Sequence, residues 1–376
     1  MSKGILTVTV NPAVDVTVTV PPAGELRMRC PPRQRRGETS PVSPNFEEIW
    51  RNEAGSTRHS QLRMRCSIPT PRLKTSGVGT PTSAFCGTSE PTFILSAGGK
   101  GVNVARVLRV LRARVLAAGI TGGETGEFFQ KLLRKENIPA AFLQVEGPTR
   151  FNVTILGPRP GGRSRVVQEG PRLTPKEVQR FEIRCRQWLR RSRLVVLAGR
   201  NAVGAPVDWY ARLVRLAREE GVPAALDTSG AALEAALKAK PFLIKPNRAE
   251  AEEILRRRIS SPAEIKNAVR SFHGRGISVV LLSLGSRGAI VSDGQNIWYA
   301  RPPRVRALRN DVGCGDALLA GFCSAFEKKS LAEALRWGVA CGTANVLNST
   351  PGLVHPGDVL KLVKTVTVKN WGTLGR

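Results

Sequence analysis

Two glycines stand just before an aspartate in the stretch NDVGCGDALLAGF, residues 310–322. Gly313 and Gly315 permit a tight turn whose backbone N–H groups, with a helix N-terminus behind them, can hold a developing anion. Asp316 would lie beside this anion hole, and Cys314 would lend it a backbone N–H. A carboxylate so placed can take the proton of an attacking hydroxyl while the N–H groups stabilise a transferring phosphoryl group. Taken alone, the stretch fits equally well an aspartate that caps a helix behind a glycine turn.

A second glycine-rich stretch, SAGGKGVNVARVL at residues 96–108, opens a helix with three glycines and a lysine. Its spacing is not GxxxxGK[ST], so it is not a Walker P-loop, and a helix start of this kind is often only a turn. Together with Asp15, which follows an earlier turn, Lys100 and Asn103 are suited to a pocket for a polyhydroxy anion. The carboxylate and amide would bind hydroxyls, and the ammonium and N–H groups would bind phosphate.

The elements that must position these residues alternate between short apolar strands and amphipathic helices. Alternating β-branched residues predict strands at residues 5–10 and 14–20, and the stretch at residues 101–111 predicts a helix followed by a strand at 115–119. Thr174 is placed to cap a helix that leads into a strand at 193–199. Three more helix–strand units follow, at residues 208–227, 231–245 and 263–285. This alternation predicts a doubly wound α/β fold, with a mostly parallel sheet covered by helices on both faces and ligands at the carboxyl ends of its strands.

Composition and charge limit the classes of function. The 376 residues are 41% hydrophobic and 23% charged, which is ordinary globular usage and excludes fibrous and wholly disordered proteins. Lys and Arg outnumber Asp and Glu by 58 to 29, a net charge of +29 that admits nucleic acid, an anionic membrane or small anionic substrates as partners. The cations are scattered, without a long basic run or interleaved aromatic residues. The scatter makes a nucleic-acid platform a weak interpretation, and the sign of the charge alone does not choose among the other partners.

The cysteines and the apolar runs indicate the compartment. The seven cysteines are odd in number and include no CxxC pair, which makes a disulfide framework or a zinc site a weak interpretation. The first 20 residues alternate instead of forming a continuous apolar signal segment, and no apolar run reaches the roughly 18 residues of a membrane span. We expect a cytoplasmic protein, with Cys323 and Cys341 buried on helix faces.

One segment, at about residues 27–92, does not follow the strand and helix rhythm. It is rich in Pro, Ser, Thr, Gly and Arg, has no sustained period, and contains part of a direct repeat, LRMRC, at residues 26–30 and 62–66. We interpret it as an insertion that is disordered or weakly ordered.

Seven blocks of the sequence resemble the ribokinase-like, or phosphofructokinase B, sugar kinase family. The likeness is to its branch of 1-phosphofructokinase, tagatose-6-phosphate kinase and the minor 6-phosphofructokinase. The blocks are ILTVTVNPAVDVT (5–17), GGKGVNVARVL (98–108), TRFNVTIL (149–156), LDTSGAAL (226–233), FLIKPNRAEAEEIL (242–255), LSLGSRGAIV (282–291) and VGCGDALLAGF (312–322). The resemblance implies a single ribokinase-like kinase domain over residues 1–376. It also implies a small β-sheet lid formed by segments at about 13–26 and 150–168.

The resemblance implies roles at the catalytic and acceptor positions. Asp316 matches the family's catalytic base, and Gly313, Cys314 and Gly315 match its anion-hole turn. The positions around the acceptor sugar are matched by Asp15, Gly99, Lys100 and Asn103. Arg150 matches a cation that contacts the acceptor's phosphate.

Further matches concern the nucleotide. Its contacts are matched by Lys245, Asn247, Ser283, Gly285, Gly288 and Asn348, the last within the predicted helix VACGTANVLN. Asn247 and Glu250 match an NxxE element that arranges magnesium-bound phosphates. Two structural alternatives exist, because Asn247 and Glu250 could form a capping box and the two glycines a plain hairpin turn. The seven blocks together favour the nucleotide interpretation.

The chain departs from the family pattern in three places. Arg200 stands in a GRNAVG turn where the family usually has a serine, and Asp311 stands where Ser or Thr is common. The third departure is the insertion, which falls in the lid and could hinder its closure.

The resemblance implies an ATP- and Mg²⁺-dependent kinase of a phosphorylated ketohexose. The partner it implies is a small-molecule sugar phosphate, and neither nucleic acid nor a membrane. We expect fructose 1-phosphate as acceptor, with fructose 6-phosphate and tagatose 6-phosphate as alternatives, because the blocks do not separate the members of the branch. The family's lid often pairs two subunits, which implies a homodimer through the lid. A rival from another class is a catalytically impaired, basic binding protein on a kinase fold.

Overall fold

The computed structural model describes residues 3–19, 92–157, 163–305 and 308–374. The predicted insertion lies outside these ranges except for Thr92, which begins a strand. The strands of the described residues are β1 (Gly4–Thr9), β2 (Ala13–Thr19), β3 (Thr92–Gly98), β4 (Val115–Thr121), β5 (Ala140–Gln144), β6 (Arg150–Leu156), β7 (Arg163–Val167), β8 (Ser192–Ala198), β9 (Ala224–Asp227), β10 (Leu243–Ile244), β11 (Val279–Ser283), β12 (Ala289–Ser292), β13 (Asn296–Arg301) and β14 (Thr367–Thr373).

The helices alternate with these strands as the sequence predicts. They are α1 (Lys100–Val110), α2 (Gly123–Lys135), α3 (Pro175–Leu189), α4 (Trp209–Glu219), α5 (Gly230–Leu237), α6 (Arg248–Leu255), α7 (Pro262–Gly274), α8 (Cys314–Ala325), α9 (Leu331–Asn345) and α10 (Pro356–Thr365). Thr174 caps α3 as predicted: its side chain accepts from the N–H of Glu177, whose carboxylate accepts from the N–H of Thr174 at 2.8 Å. Cys323 of α8 and Cys341 of α9 are buried, also as predicted.

The main sheet has ten strands in the order β14-β13-β12-β11-β10-β9-β8-β1-β4-β5. The strands from β11 to β5 in this order pair in parallel, and β12, β13 and β14 add an antiparallel edge. Because β1 lies between β4 and β8, the chain extends the sheet first on one side of β1 and then on the other. This is the predicted doubly wound, mostly parallel arrangement. Asp227 ends β9, Ser283 ends β11 and Lys245 follows β10, so these polar residues share the carboxyl edge of the sheet.

Residues of β1 show how both faces of the sheet are covered. Leu6 and Val8 pack in the core with Phe181 of α3 and Trp209 of α4. Thr9 points to the opposite face because side chains alternate along a strand. There α1 lies so close that a Cβ at Gly101 would come within 2.3 Å of the Thr9 hydroxyl oxygen. Helices therefore cover both faces at this strand.

A separate four-stranded sheet has the order β3-β2-β6-β7. It contains the described parts of the two predicted lid segments, whereas residues 20–26 and 158–162 lie outside the described residues. The chain divides into a larger unit of residues 1–15, 96–152 and 167–376 and a smaller one of residues 16–95 and 153–166. All the candidate site residues belong to the larger unit. Within the described part of the chain, every helix is too short or too polar to cross a bilayer.

Asn348 does not lie in a helix, contrary to the prediction from the sequence. Helix α9 ends at Asn345, and Asn348 follows it. The side-chain amide of Asn348 donates to the carbonyl of Ala344 at 3.0 Å. That carbonyl, at the end of α9, also accepts from the backbone N–H of Leu347 at 3.3 Å.

Candidate active site

Asp316 lies in the first turn of α8, directly behind the glycine turn. Gly313 has a φ of 85°, in the left-handed region that favours glycine, and a Cβ there would come within 2.7 Å of the backbone nitrogen of Gly352. The first N–H groups of a helix have no partner within it, so those of Gly315 and Asp316 are available to an anion in front of the turn. The N–H of Cys314 is directed at the carbonyl of Asp311, at a long 3.5 Å.

The carboxyl group of Asp316 is buried and held by one amide. The side-chain nitrogen of Asn103 donates to its Oδ2 at 2.8 Å. Burial, aided by the negative charge of Asp227, raises the pKa of Asp316 to about 6, against the opposing effects of Lys100, Asn103 and Lys245. A carboxyl group that titrates near neutral pH is suited to take a proton from an attacking hydroxyl.

Asp227 binds two lysines that the sequence assigns to different substrates. The Nζ of Lys100 lies 2.9 Å from one of its carboxylate oxygens, and the Nζ of Lys245 lies 3.2 Å from the other. The side chain of Asp227 is 0% exposed and that of Lys245 4%, whereas Lys100 is 36% exposed. A Cβ at Gly315 would lie 3.3 Å from the Nζ of Lys245. The lysine pair is thus joined through one carboxylate, and Lys245 lies against the glycine turn at residues 313–315, the predicted catalytic turn.

The charges of this cluster shift one another's titration. Burial alone would raise the pKa of Asp227, but the two ammonium groups hold it below its ordinary value. Burial alone would lower the pKa of Lys100, but the carboxylates of Asp227 and Asp316 raise it above its ordinary value. Lys100 and Asp227 are therefore both charged near neutral pH. Asp227 is not among the site residues predicted from the sequence, although it ends an apolar strand at the edge where such folds bind ligands.

The Cys314 thiol supplies no reactive group to the turn. Burial raises its pKa to about 11, so the thiol is neutral near pH 7. Asn345 donates to its sulfur at 3.3 Å and to the carbonyl of Val312 at 2.9 Å, and accepts from the N–H of Gly352 at 2.7 Å. Asn345, which the sequence analysis does not single out, therefore joins the end of α9 to the catalytic turn.

Asp15 lies against the start of α1, where the sequence predicts the acceptor site. Asn152 donates to the carboxylate of Asp15 at 2.8 Å. A Cβ at Gly98 would come within 2.1 Å of that carboxylate, so the close approach requires glycine at this position. Gly99 caps α1, which places Lys100 and Asn103 in the first turn of this helix. Asn152 is a further polar residue that the sequence analysis does not assign.

Arg150 binds backbone carbonyls around the turn between β1 and β2. Its guanidinium donates to the carbonyl of Gln168 at 2.8 Å, to that of Asn11 at 3.0 Å and to that of Pro12 at 3.4 Å. The contact with an acceptor phosphate stays a prediction. The structure adds that Arg150 fixes the turn that precedes Asp15.

Some of the residues predicted to bind the nucleotide lie close to one another. Asn247 and Ser283 are joined by a parallel β-bridge, beside the strand end that Lys245 follows. Asn247 and Glu250 form a capping box, with bonds of 2.9 and 2.8 Å, at the start of α6. Gly285 begins a short 3₁₀ turn that Gly288 closes between the antiparallel strands β11 and β12. Both structural alternatives to the nucleotide interpretation are thus present, and no hydrogen bond described in the structure joins Asn348 to this group.

Comparison with known proteins decides the family. The family model described as "pfkB family carbohydrate kinase" matches residues 85–356. The chain belongs to the pfkB family. Within it, the 1-phosphofructokinase of Bacillus subtilis (strain 168) is 34% identical over 256 residues, which cover 68% of this chain and 83% of that protein. As a member of the pfkB family, the chain is an ATP-dependent sugar-phosphate kinase, which confirms the enzyme class expected from the sequence.

Solved structures agree with the family assignment. Phosphofructokinase-2 from Escherichia coli in complex with substrates and products is 26% identical, with a TM-score of 0.74 over 96% of this chain and 99% of that one. The same enzyme in complex with fructose-6-phosphate is 25% identical, with a TM-score of 0.73 and the same coverage. The pfkB fold expected from the resemblance is therefore confirmed.

Proposed function

We propose that this pfkB kinase transfers the γ-phosphoryl group of ATP to fructose 1-phosphate, which gives fructose 1,6-bisphosphate and ADP. One observation carries the chemistry: Asp316 is buried at the first turn of α8, behind the glycine turn and near the Lys100–Asp227–Lys245 cluster. The similarity to the B. subtilis 1-phosphofructokinase supports the choice of acceptor. Fructose 6-phosphate is the second candidate, supported by the E. coli neighbour solved with it, and tagatose 6-phosphate is the third.

In the proposed reaction, Asp316 accepts the proton of the acceptor's C6 hydroxyl as its oxygen attacks the γ-phosphorus of ATP. The bond between that phosphorus and the β–γ bridging oxygen breaks, and ADP leaves with the electron pair. The N–H groups at Gly313, Cys314, Gly315 and Asp316, with Lys245, would stabilise the charge on the transferring group. Because the transition state is loose, most of the rate enhancement would come from positioning and charge.

The remaining predicted residues would position the two substrates. On the acceptor side, Asp15, Gly99 and Asn103 would contact the sugar, and Lys100 and Arg150 its phosphate. On the nucleotide side, the group consists of Lys245, Asn247, Ser283, Gly285, Gly288 and Asn348. The bridge between Asn247 and Ser283 and the position of Lys245 beside the catalytic turn support the nucleotide group.

Mg²⁺ would accompany ATP in this site. The described residues contain no cluster of three or more His, Cys, Asp or Glu side chains of the kind that encloses a metal. Mg²⁺ bound with a nucleotide needs few protein ligands, because it takes phosphate oxygens and keeps several waters. The carboxylate of Glu250 fits this use, since the capping box engages only its Oε2. When bound, the ion would neutralise phosphate charge.

Two further predictions from the sequence concern assembly and location. We propose a homodimer through the four-stranded sheet, which sedimentation of the purified chain would measure. The tetrameric inhibited form of E. coli phosphofructokinase-2 supports oligomer formation as a property of such kinases. The cytoplasmic location stays a prediction.

The deciding experiment is an acceptor panel with the purified full-length chain. ADP release and product identity are measured with ATP and fructose 1-phosphate, fructose 6-phosphate, tagatose 6-phosphate or unphosphorylated fructose. We expect the highest kcat/KM with fructose 1-phosphate, and a kcat lower by about 10²- to 10⁴-fold in Asp316→Asn. A higher kcat/KM with another sugar phosphate would replace the proposed acceptor. No turnover with any acceptor, combined with nucleic-acid binding that weakens steeply with salt, would support the rival binding protein.

A further inference from the structure

Arg106 is a buried charged residue of α1 that the proposed chemistry does not use. Its side chain is 6% exposed. A guanidinium has five N–H donors, and here each has an acceptor. The acceptors are Asn103 Oδ1 at 3.0 Å, the carbonyls of Pro351 at 2.8 Å and Ala97 at 2.6 Å, and the two carboxylate oxygens of Glu136, one at 2.9 Å. A side chain that is buried and fully bonded in this way fixes the groups around it.

The contact with Asn103 determines which end of that amide faces Asp316. Arg106 can only donate, so it selects the oxygen of the Asn103 side chain. The nitrogen of the same amide is then directed at Asp316, to which it donates at 2.8 Å. With the amide reversed, its oxygen would face the carboxylate and its nitrogen would face a cation. Arg106 therefore makes Asn103 a donor to Asp316.

The contact with Pro351 holds a loop between Asn103 and the catalytic turn. Gly352 lies so close to α1 that a Cβ on it would come within 2.8 Å of the Cα of Asn103. Its N–H donates to Asn345, which in turn donates to the carbonyl of Val312 just before the glycine turn. The loop at residues 351–352 thus contacts both Asn103 and the glycine turn that precedes Asp316. The carbonyl of Pro351 in this loop accepts from Arg106.

We propose that Arg106, anchored by Glu136, is a positioning residue that orients Asn103 toward Asp316 and holds the loop at residues 351–352 against the catalytic turn. The inference rests on the proposed role of Asp316 as the base. Lysine cannot replace Arg106 here, because an ammonium has three donors and lacks the planar fork that reaches five acceptors. Loss of the Asn103 contact would remove a hydrogen bond that favours the ionised carboxylate of Asp316.

The test compares Arg106→Lys with Arg109→Lys. Arg109 is an exposed residue of the same helix, and it donates to the carbonyl of Asn137 at 3.1 Å. We expect Arg106→Lys to lower kcat on the order of tenfold while KM for ATP changes less than about twofold. We also expect the acid limb of its pH profile of kcat/KM to move up by about 0.5 pH unit or more. Arg109→Lys should keep the kcat and the pH profile of the unmodified enzyme.

A double substitution separates positioning from general weakening of the fold. If Arg106 acts through Asn103, adding Arg106→Lys to Asn103→Ala should move the acid limb no further than Asn103→Ala alone. Additive shifts of the acid limb in the double variant would contradict action of Arg106 through Asn103. Where Arg106→Lys fails to fold, Glu136→Gln provides the test, because it keeps Arg106 and removes only the anchoring charge. It should shift kcat and the acid limb in the same direction by smaller amounts.

A readout without turnover keeps this inference distinct from the proposed function. Isotope-edited NMR of the aspartate carboxyl carbons follows the titration of Asp316, whose signal is assigned by its loss in Asp316→Asn. We expect the titration to move to higher pH in folded Arg106→Lys. An unchanged titration together with an unchanged kcat would overturn the positioning role. Absence of turnover in the acceptor panel would instead overturn the proposed function.

Discussion

The pKa values of two buried carboxyl groups near the catalytic turn are shifted in opposite directions. Asp227 has an ammonium group on each of its oxygens, which keeps it ionised. Burial and the charge of Asp227 raise the pKa of Asp316 to about 6, although the amide of Asn103 donates to it and opposes the shift. Pairs of titratable groups whose environments separate their pKa values often divide the roles in a reaction. Here Asp227 would supply a permanent charge and Asp316 would exchange the proton.

Replacing the proposed base should abolish turnover but not nucleotide binding. We expect Asp316→Asn to lower kcat by about 10²- to 10⁴-fold, because a general base contributes rate enhancement of that size. The Kd for ATP, measured by calorimetry, should stay nearly unchanged. Asp311→Asn is the matched control, an exposed carboxylate five residues earlier in the chain, and should retain the kcat of the parent. A variant at Asp316 with most of its activity would show that another group takes the proton.

The charge cluster predicts opposite pH shifts for two substitutions. The unmodified enzyme needs ionised Asp316, so its kcat/KM should fall as pH drops below about 6. Lys100→Met removes a cation that lowers the pKa of Asp316, and should move this acid limb to higher pH. Asp227→Asn removes the anion that raises the same pKa, and should move the limb to lower pH. The pH profiles of both variants, each first checked for folding by circular dichroism, measure the shifts.

Shifts of the same sign would contradict this account of the cluster. Lys100→Met carries a second expectation, a larger rise in KM for the acceptor than for ATP, since we place Lys100 on the acceptor side. A charged contact to phosphate contributes roughly 1.5 to 3 kcal/mol. Equal rises for both substrates would show that the bridge through Asp227 makes Lys100 part of both halves of the site.

How far the sequence predicts the site depends on where each residue's partners lie. Glycine turns and short motifs are local, so the catalytic turn and the start of α1 can be identified from the amino-acid sequence of each segment alone. Asp227, Arg106 and Asn345 are isolated polar residues whose partners are distant in the chain. Arg106, for example, bonds a carbonyl 245 positions away. Such contacts depend on the packing of α1 and α9 against α8, which a local sequence pattern does not reveal.

At the scale of elements, helix caps show how one motif can have two uses. Three helices start with the same reciprocal capping box: Thr174 with Glu177, Asn247 with Glu250 and Ser261 with Glu264. The residues of the first and third boxes are not among those predicted for the nucleotide. Only the box of Asn247 follows a strand end on the carboxyl edge of the parallel sheet. Its geometry alone therefore does not distinguish a cap from a nucleotide contact.

A pair of cap substitutions distinguishes the two uses. Ser261→Ala and Asn247→Ala should each lower the free energy of unfolding by about 1 kcal/mol, because each removes one cap. Denaturant titration measures this loss. Only Asn247→Ala should also raise KM for ATP, and Ser261→Ala serves as the matched control. If KM for ATP is the same in both, Asn247 is a cap without contact to the nucleotide.

The elements themselves are largely predictable because their periodicity is local. Between α1 and β11, the structure contains every strand and helix predicted from the alternation, with Thr174 at its predicted cap, but α2, β5 and α6 are not predicted. Strand β10 has only two residues, Leu243–Ile244, and Lys245, which follows it, lies beside Asp227. The sequence analysis does not identify β13 and β14, whose pairing joins segments 66 residues apart and follows from the sheet rather than from either segment.

At the scale of the whole molecule, the predicted insertion interrupts neighbouring strands. Strand β2 ends at Thr19 and β3 begins at Thr92, and the two lie side by side in the four-stranded sheet. The residues between them lie outside the described part of the chain. A shorter connection would therefore join two strands that are already adjacent, as consecutive strands of one sheet commonly are.

Deleting residues 31–91 should leave a folded and active kinase. The composition of this segment predicts little apolar burial, so we expect no large change in the unfolding midpoint and an equal or lower KM for the acceptor. The measurements are thermal unfolding and steady-state kinetics against the full-length chain. Limited trypsin digestion of the parent should cut this segment first, at its many arginines. Loss of folding or of activity on deletion would identify the segment as a working part of the enzyme.

The contact between Asn103 and Asp316 joins residues 213 positions apart. Strand β14, which follows the catalytic helix in the chain, must also return across the sheet to pair with β13. Closing such large loops is entropically slow compared with forming a single helix. During synthesis, the proposed acceptor-side residues therefore leave the ribosome long before Asp316, the proposed base. During refolding, helical signal should recover well ahead of catalysis, so that activity appears only with the final assembly of the sheet.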